Sequence, residues 1–455
     1  MRNLLLLCAV AACAFGFAAA KGSATEPATL VVDRGGVECA DADFDSIQAA
    51  VARAQPGDLI RVCPGLYTES VVVDKPLTLE GEPEAVEAVD CFDPTPSQLG
   101  DLDPTQQAII DPPGDGFSVA FKLEANDIVL AGFVVEGATV GIDAADRFSG
   151  YRIHHNLIRL NTLFGVDFGS SGTNLSRADH NCFRENSYGL VSELDDDSLA
   201  ERDESNARYL VNARIDHNST FRHQPGLQAG LEAAGPGRHD RLTFDHNVSR
   251  EDRIGIALQN SQDSAILEND ITLARHGIYV GGATEDLRIA RNYVHTARLP
   301  ARNLAGQGIV FVPPTGFLDS FDAPATDVLV SENTVTGFSD GIIAAPFPGG
   351  RLVDSTIVNN ITNENVQPPE AMMPNFGAGI RLHSGNVRNT VRGNQADRNS
   401  RYGIWNRTGA TANTYLGNSM FGNGVADAAD DAWGANEWIG NLCAVGFPQE
   451  ICNTG

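Results

Sequence analysis

Beyond Ala20 the chain has no apolar run long enough to cross a membrane, which takes about 20 consecutive residues, and it is short of positive charge. Its 32 lysines and arginines face 59 aspartates and glutamates, giving a formal net charge of −27. Lysine itself is nearly absent, occurring only at Lys21, Lys75 and Lys122. So acidic a balance argues against nucleic acid and against an anionic membrane surface as partners. It also opposes charge-driven binding of a polyanion such as a polyuronate, unless a divalent cation bridges the two.

Met1 to Ala20 reads as a secretory leader, with Arg2, an apolar run from Leu4 to Phe17, and Ala18-Ala19-Ala20 before Lys21. Val10-Ala11-Ala12-Cys13 also resembles a bacterial lipoprotein box, so an envelope lipoprotein stands as the alternative to a secreted or periplasmic protein. Removing the leader leaves Cys39, Cys63, Cys91, Cys182, Cys443 and Cys452. An oxidising compartment permits disulfides. Cys39–Cys63 and Cys443–Cys452 would fasten the two ends, and the sequence leaves open whether Cys91 and Cys182 pair.

Against these scarcities stand 46 glycines and a recurring asparagine. In one stretch Phe244, Asn247 and Gly255-Ile256 give way to Ile266, Asn269 and Gly277-Ile278. The asparagine recurs at Asn156, Asn181, Asn218, Asn247, Asn269, Asn292, Asn333, Asn360, Asn394 and Asn418, at intervals of 22 to 41 residues. Small or apolar residues stand three before each, from Ile153 to Tyr415. Repeats of this length with variable inserts mark a solenoid. Three short runs per unit, each with a period of two, are strands. The expected fold is all-β: a right-handed parallel β-helix of about 11 coils, with residues 21–455 as one monomeric domain. Asparagine suits the corner between strands because it tolerates the left-handed conformation and its amide bonds to those above and below.

At the N-terminus, FDSIQAAVARAQ (residues 44–55) predicts a capping helix, with Asp43 or Asp45 as N-cap and Pro56-Gly57 as stop. Strands split by Pro64-Gly65 and Asp74-Lys75-Pro76 follow. Residues 44–81 resemble the N-terminal segment of the pectin-lyase-like superfamily, and the repeats over residues 107–423 resemble its asparagine ladders. Residues 82–106 form an insertion, with three more at 193–206, 298–327 and 363–376. Residues 424–455 read as a C-terminal cap in which Trp433 and Trp438 cover the last coil.

The resemblance implies polysaccharide processing, yet the superfamily's catalytic signatures are missing. There is no G-R-P-W, no N-T-D or R-I-K, and no D-P-H-D. Arg275-His276-Gly277 looks like the G-H-G element of polygalacturonase-type hydrolases, but the paired carboxylates that hydrolysis needs are lacking. A sharper pattern precedes the asparagines: His154-His155, Asp179-His180, Asp216-His217 and Asp245-His246. Stacking should bring these to one outer edge, where His180, His217 and His246 could hold a divalent metal or act as bases oriented by Asp179, Asp216 and Asp245. Arg159, Arg184 and Arg250 are expected nearby to neutralise a substrate carboxylate. The same pairs also read as ordinary corner residues. A second candidate is the outward face of the Gly-Ile strand: Asp143, Asp167, Val191, Ala257, Tyr279, Val310, Ile343, Arg381 and Trp405, then Glu193, Gln259, His383 and Arg407. The reading favours a protein that binds or modifies a polysaccharide, as lyase or epimerase rather than hydrolase. The alternative is a non-catalytic envelope protein, resembling in its coil repeats the periplasmic copper-binding β-helix proteins of nitrous oxide reductase maturation.

Overall fold

The computed structural model describes residues 27–36, 38–85, 90–114, 116–192, 209–223, 229–233, 239–272, 275–296, 306–312, 324–344, 350–366 and 376–453. The leader and the charged insertion at 193–206 lie outside them, as do 298–305, 313–323 and 367–375 of the other two insertions. Each coil contributes three short strands, and like strands pair in parallel from level to level. First strands such as Arg152–His154 belong to a 17-stranded sheet, second strands such as Leu157–Arg159 to a 10-stranded sheet, and third strands such as Phe164–Phe168 to a 14-stranded sheet. The third sheet runs from Val71–Val73 to Gly446–Phe447. Its fourteen levels exceed the eleven expected because end levels depart from the counted asparagines. Phe133 fills that position before Asn156, and Asn441 extends the ladder past Asn418.

The core follows from the period of two. Ile153, Ala178, Ile215, Phe244, Ile266, Ile289, Val330, Ile357, Val391 and Tyr415 are all fully buried, as is Ile158 across the corner. Each large apolar side chain so buried is worth about 1.5–3 kcal/mol. The Gly-Ile strand must carry glycine because a Cβ at Gly277 would stand 2.6 Å from the Gly308 carbonyl oxygen of the next level.

The corner differs from expectation in one respect. The left-handed residue is not the asparagine but the one before it: His155, His180, His217 and His246 have φ of 54°, 55°, 55° and 54°. The asparagine points inward and is buried. Asn218 Oδ1 accepts from the backbone and side-chain N–H groups of Asn181, both at 3.0 Å, while its Nδ2 donates to Ala178 O at 2.9 Å and Asn247 Oδ1 at 3.1 Å. Five residues on, a second ladder turns the next corner, linking Asn161 to Asn186 and Asn365 to Asn399 to Asn423. His223 and Asp252, hydrogen-bonded at 2.7 Å, take over its middle.

The capping helix spans Ile47–Arg53, and its N-cap is Ser46 rather than Asp43 or Asp45. Ser46 Oγ accepts from Ala49 N, and the Glu69 carboxylate takes the Ile47 and Gln48 amides from outside. Asp43 is instead spent on the Val31 amide. At the other end Trp438 stacks on Tyr415 with centroids 3.9 Å apart, and Ile451 is fully buried. Trp433 is 49% exposed. Cys39–Cys63, Cys91–Cys182 and Cys443–Cys452 are all disulfides. Among the described residues no helix is long and apolar enough to cross a membrane.

Candidate functional site

Left-handed corners one level apart stack what they carry. The rings of His155, His180, His217 and His246 lie 5.0, 4.9 and 4.9 Å apart in succession, within 6° of parallel. The aspartates line up beside them. His180 Nδ1 lies 3.0 Å from Asp179 Oδ2, His217 Nδ1 2.8 Å from Asp216 Oδ2, and His246 Nδ1 2.9 Å from Asp245 Oδ2. The other side of each carboxylate is taken by an arginine one level below. Arg177 holds Asp216 with bonds of 2.7 and 2.5 Å, and Arg214 holds Asp245 at 2.9 and 2.7 Å. Burial alone would raise Asp179 and Asp216, but hydrogen bonds from Arg152 and His180, and from Arg177 and His217, outweigh it and hold both below the ordinary carboxylate range. The predicted edge therefore exists, with its Nδ1 atoms and carboxylates already committed. Metal binding would need nitrogen lone pairs to converge within about 2.1 Å of one point. Rings stacked in parallel direct theirs along parallel lines. Among the described residues no group of three or more histidines, cysteines, aspartates or glutamates is placed to hold a metal.

Arg184 and Arg250 are not brought to that edge. The corner intervenes, so a residue three beyond the asparagine projects from the second sheet, on a different face. Residues 90–106 lie across that face as a strap tied by Cys91–Cys182. Arg184, 2% exposed, donates to the carbonyls of Asp90 and Thr95. Arg159 reaches Gln98 O and the Glu136 carboxylate. Arg250 pairs with Asp270 at 2.7 Å, its guanidinium 5.7 Å from the Phe92 ring.

The third-strand column has the predicted register: Ala257 pairs with Tyr279, Tyr279 with Val310, Ile343 with Arg381, and Arg381 with Trp405. It is buried throughout, Tyr279 being the most exposed of the nine at 7%. Glu193 of that expectation lies outside the described residues. Two groups of polar side chains interrupt the apolar column. At the first, Arg253 and Arg275 stand on adjacent levels beside His276, whose ring centroid is 6.1 Å from that of Tyr279. Burial pushes His276 down to about 4, with Arg275 and Arg253 acting the same way, so the ring is neutral. The Gln307 side chain hydrogen-bonds it. Nδ1 is buried without a partner, so that bond belongs to Nε2.

At the second group, Arg381 pairs with Asp340, which also accepts the Gly377 and Ala378 amides. Burial pushes Asp340 up to about 6 against the pull of Arg381. Arg407 lies 4.1 Å over the Trp405 ring, and Tyr402 packs on it with centroids 4.1 Å apart. Trp405 is thus a packed residue, with no open face for a sugar. Burial pushes His383 down to about 3, helped by Arg381 and Arg407. Sequence reasoning missed Arg253, Arg401 and Asp340 in these groups. A signal for two of them was present, since R-x-G-I recurs at Arg253, Arg275 and Arg401.

The family profile described as right handed beta helix region matches residues 322–420. No curated protein matches the chain in sequence. Among solved structures, DFA-IIIase from Arthrobacter chlorophenolicus A6 without its lid, in complex with GF2, is similar at 15% identity and a TM-score of 0.53, over 90% of this chain and 98% of that one. A mannuronic acid specific polysaccharide family 6 lyase from human gut microbiota is similar at 14% identity and a TM-score of 0.53, over 86% and 87%. The Dettilon tailspike protein gives 14% identity and a TM-score of 0.44, over 82% of this chain and 61% of its own. The chain has the right-handed parallel β-helix fold.

Proposed function

We propose that the protein acts on an acidic polysaccharide at the third-strand face, abstracting the proton next to a uronate carboxylate, as a lyase or, with reprotonation, an epimerase. The observation that carries this reading is His276: a neutral imidazole with an unpartnered Nδ1, flanked by Arg253 and Arg275. A carboxylate held by the two guanidiniums acidifies the C5 proton. Nδ1 takes that proton. In elimination the C4–O4 bond then breaks, a C4–C5 double bond forms and O4 leaves with a proton. In epimerisation a proton returns to C5 from the other side. Tyr279 is the second protic group beside the ring. The local arginines also answer the charge objection, since they gather cations at one place on an acidic molecule. That a mannuronic acid specific lyase shares the fold is in keeping with this class of substrate, and three disulfides favour a secreted or periplasmic location. In this reading the Asp-His corner column is scaffold, and a metal-holding envelope protein has less behind it because the imidazoles do not converge.

The test is a panel of polymannuronate, polyguluronate, polygalacturonate and polyglucuronate, with and without calcium. Ultraviolet absorbance reports unsaturated product, and NMR in deuterated water reports exchange at C5. One polymer giving either signal, lost in His276→Ala, is the expected result. Silence across the panel overturns the proposal.

A further inference from the structure

The second polar group holds buried donors that no described residue meets. Among the described residues Asp340 pairs with Arg381 and Asp431 lies 3.3 Å from Arg407. Arg401 lies over Tyr402, its guanidinium carbon 5.7 Å from the ring centroid. Two donors here, Trp405 Nε1 and Arg401 Nε, are buried without a partner among the described residues. Trp405 is only 5% exposed, so water does not meet its N–H from bulk. Buried donors are normally matched. A cationic cluster with unmatched donors is completed by an anion with several acceptor oxygens, and arginines bind carboxylates best through paired bonds.

We infer that Arg381, Arg401 and Arg407, gathered around Trp405, form a second binding site for a carboxylate of the acidic polysaccharide, remote from His276. The site rests on the acidic-polysaccharide reading above and gives it a length. Tyr279, Val310, Ile343, Arg381 and Trp405 follow one another in register. Four levels separate the ends, about 19 Å. An extended sugar chain advances by roughly one residue per level, about 5 Å, so the uronate held here is about four residues from the one at His276. Shorter chains reach one site and not both.

The experiment is calorimetric titration of the full-length, disulfide-bonded His276→Ala protein with mannuronate, guluronate, galacturonate and glucuronate oligomers of two to six residues. The expected result is a gain of about tenfold in affinity between four and five residues. Arg407→Lys, which keeps charge but loses the planar fork, and Trp405→Phe, which removes the indole N–H and shrinks the ring under Arg407, should each erase that gain and leave trimer binding at the Arg253–Arg275 site unchanged. A hexamer that binds no more tightly than a trimer overturns the second site and leaves the His276 chemistry standing. Hexamer binding that weakens in Arg407→Lys, beside a native protein that neither eliminates nor exchanges, upholds the site and overturns that chemistry. Failure of every oligomer to bind overturns both.

Discussion

The corner column and the third-strand face draw on the same residue types, histidine, arginine and aspartate, stacked by the same solenoid register. In the column each carboxylate is matched: Asp216 takes two bonds from Arg177 and one from His217. On the face His276 Nδ1, Trp405 Nε1 and the Nε atoms of Arg253, Arg275 and Arg401 are buried with no partner among the described residues. A closed polar network rigidifies, whereas an open one costs stability and is kept where a ligand completes it. Density of histidine and aspartate is therefore a poor guide to function here. Unmet hydrogen-bonding capacity is the better one.

The contrast can be broken in four places. His276→Ala should lower turnover by about a thousandfold, roughly 4 kcal/mol of barrier, without lowering the thermal midpoint; a parallel fall in both would make His276 structural. Acidification should next separate the histidines that burial pushes down, His154 beside the column included, from the column aspartates. Folded His239, fully buried, and His276 are pushed down to about 4 from 6.5. A depressed histidine contributes stability above its unfolded value that is lost as pH falls from about 6.5 toward 4, about 3 kcal/mol per buried ring. The column aspartates are also depressed, but their contribution goes only as pH falls below the unfolded carboxylate value of about 3.9. Urea titrations should thus show the loss beginning above pH 5, and a stability flat to pH 4.5 would deny the burial of those rings.

Asp216→Ala should cost about 3 kcal/mol in urea unfolding, because Arg177 and His217 lose their acceptor, and should leave C5 exchange untouched. Loss of exchange at unchanged stability would return the column to candidacy as a catalytic edge. His217→Ala is the mildest, within about 0.5 kcal/mol of the parent, since the ring is 42% exposed.

The architecture was legible because the first ladder repeats Asn at nearly every level and Ile153 through Tyr415 alternate with it. The second ladder, five residues on, was hidden where His223 and Asp252 replace its amides and by Phe338, which stands in that position after Asn333. The left-handed residue was assigned one place late because asparagine has both aptitudes, and only coordinates show which it uses. Spacing could place Asp179, Asp216 and Asp245 beside their histidines, but not the arginines from lower levels that consume them. Arg184 and Arg250 were misplaced because a corner separates them from the column. The third-strand register, Arg381 beside Trp405 included, was legible from the Gly-Ile repeat, but that Asp340 pairs with Arg381 was not.

The strap over the second sheet has a consequence for assembly. Arg222 grasps Pro94 O, 128 positions earlier in the chain, and Cys91 must wait 91 residues for Cys182. A polypeptide emerging amino end first therefore cannot complete the anchoring of residues 90–106 until the turns bearing Glu136, Arg159, Cys182 and Arg222 exist to receive them. Closure of that clasp certifies that the turns between have stacked in the right order, since a skipped level would put another residue opposite Cys91.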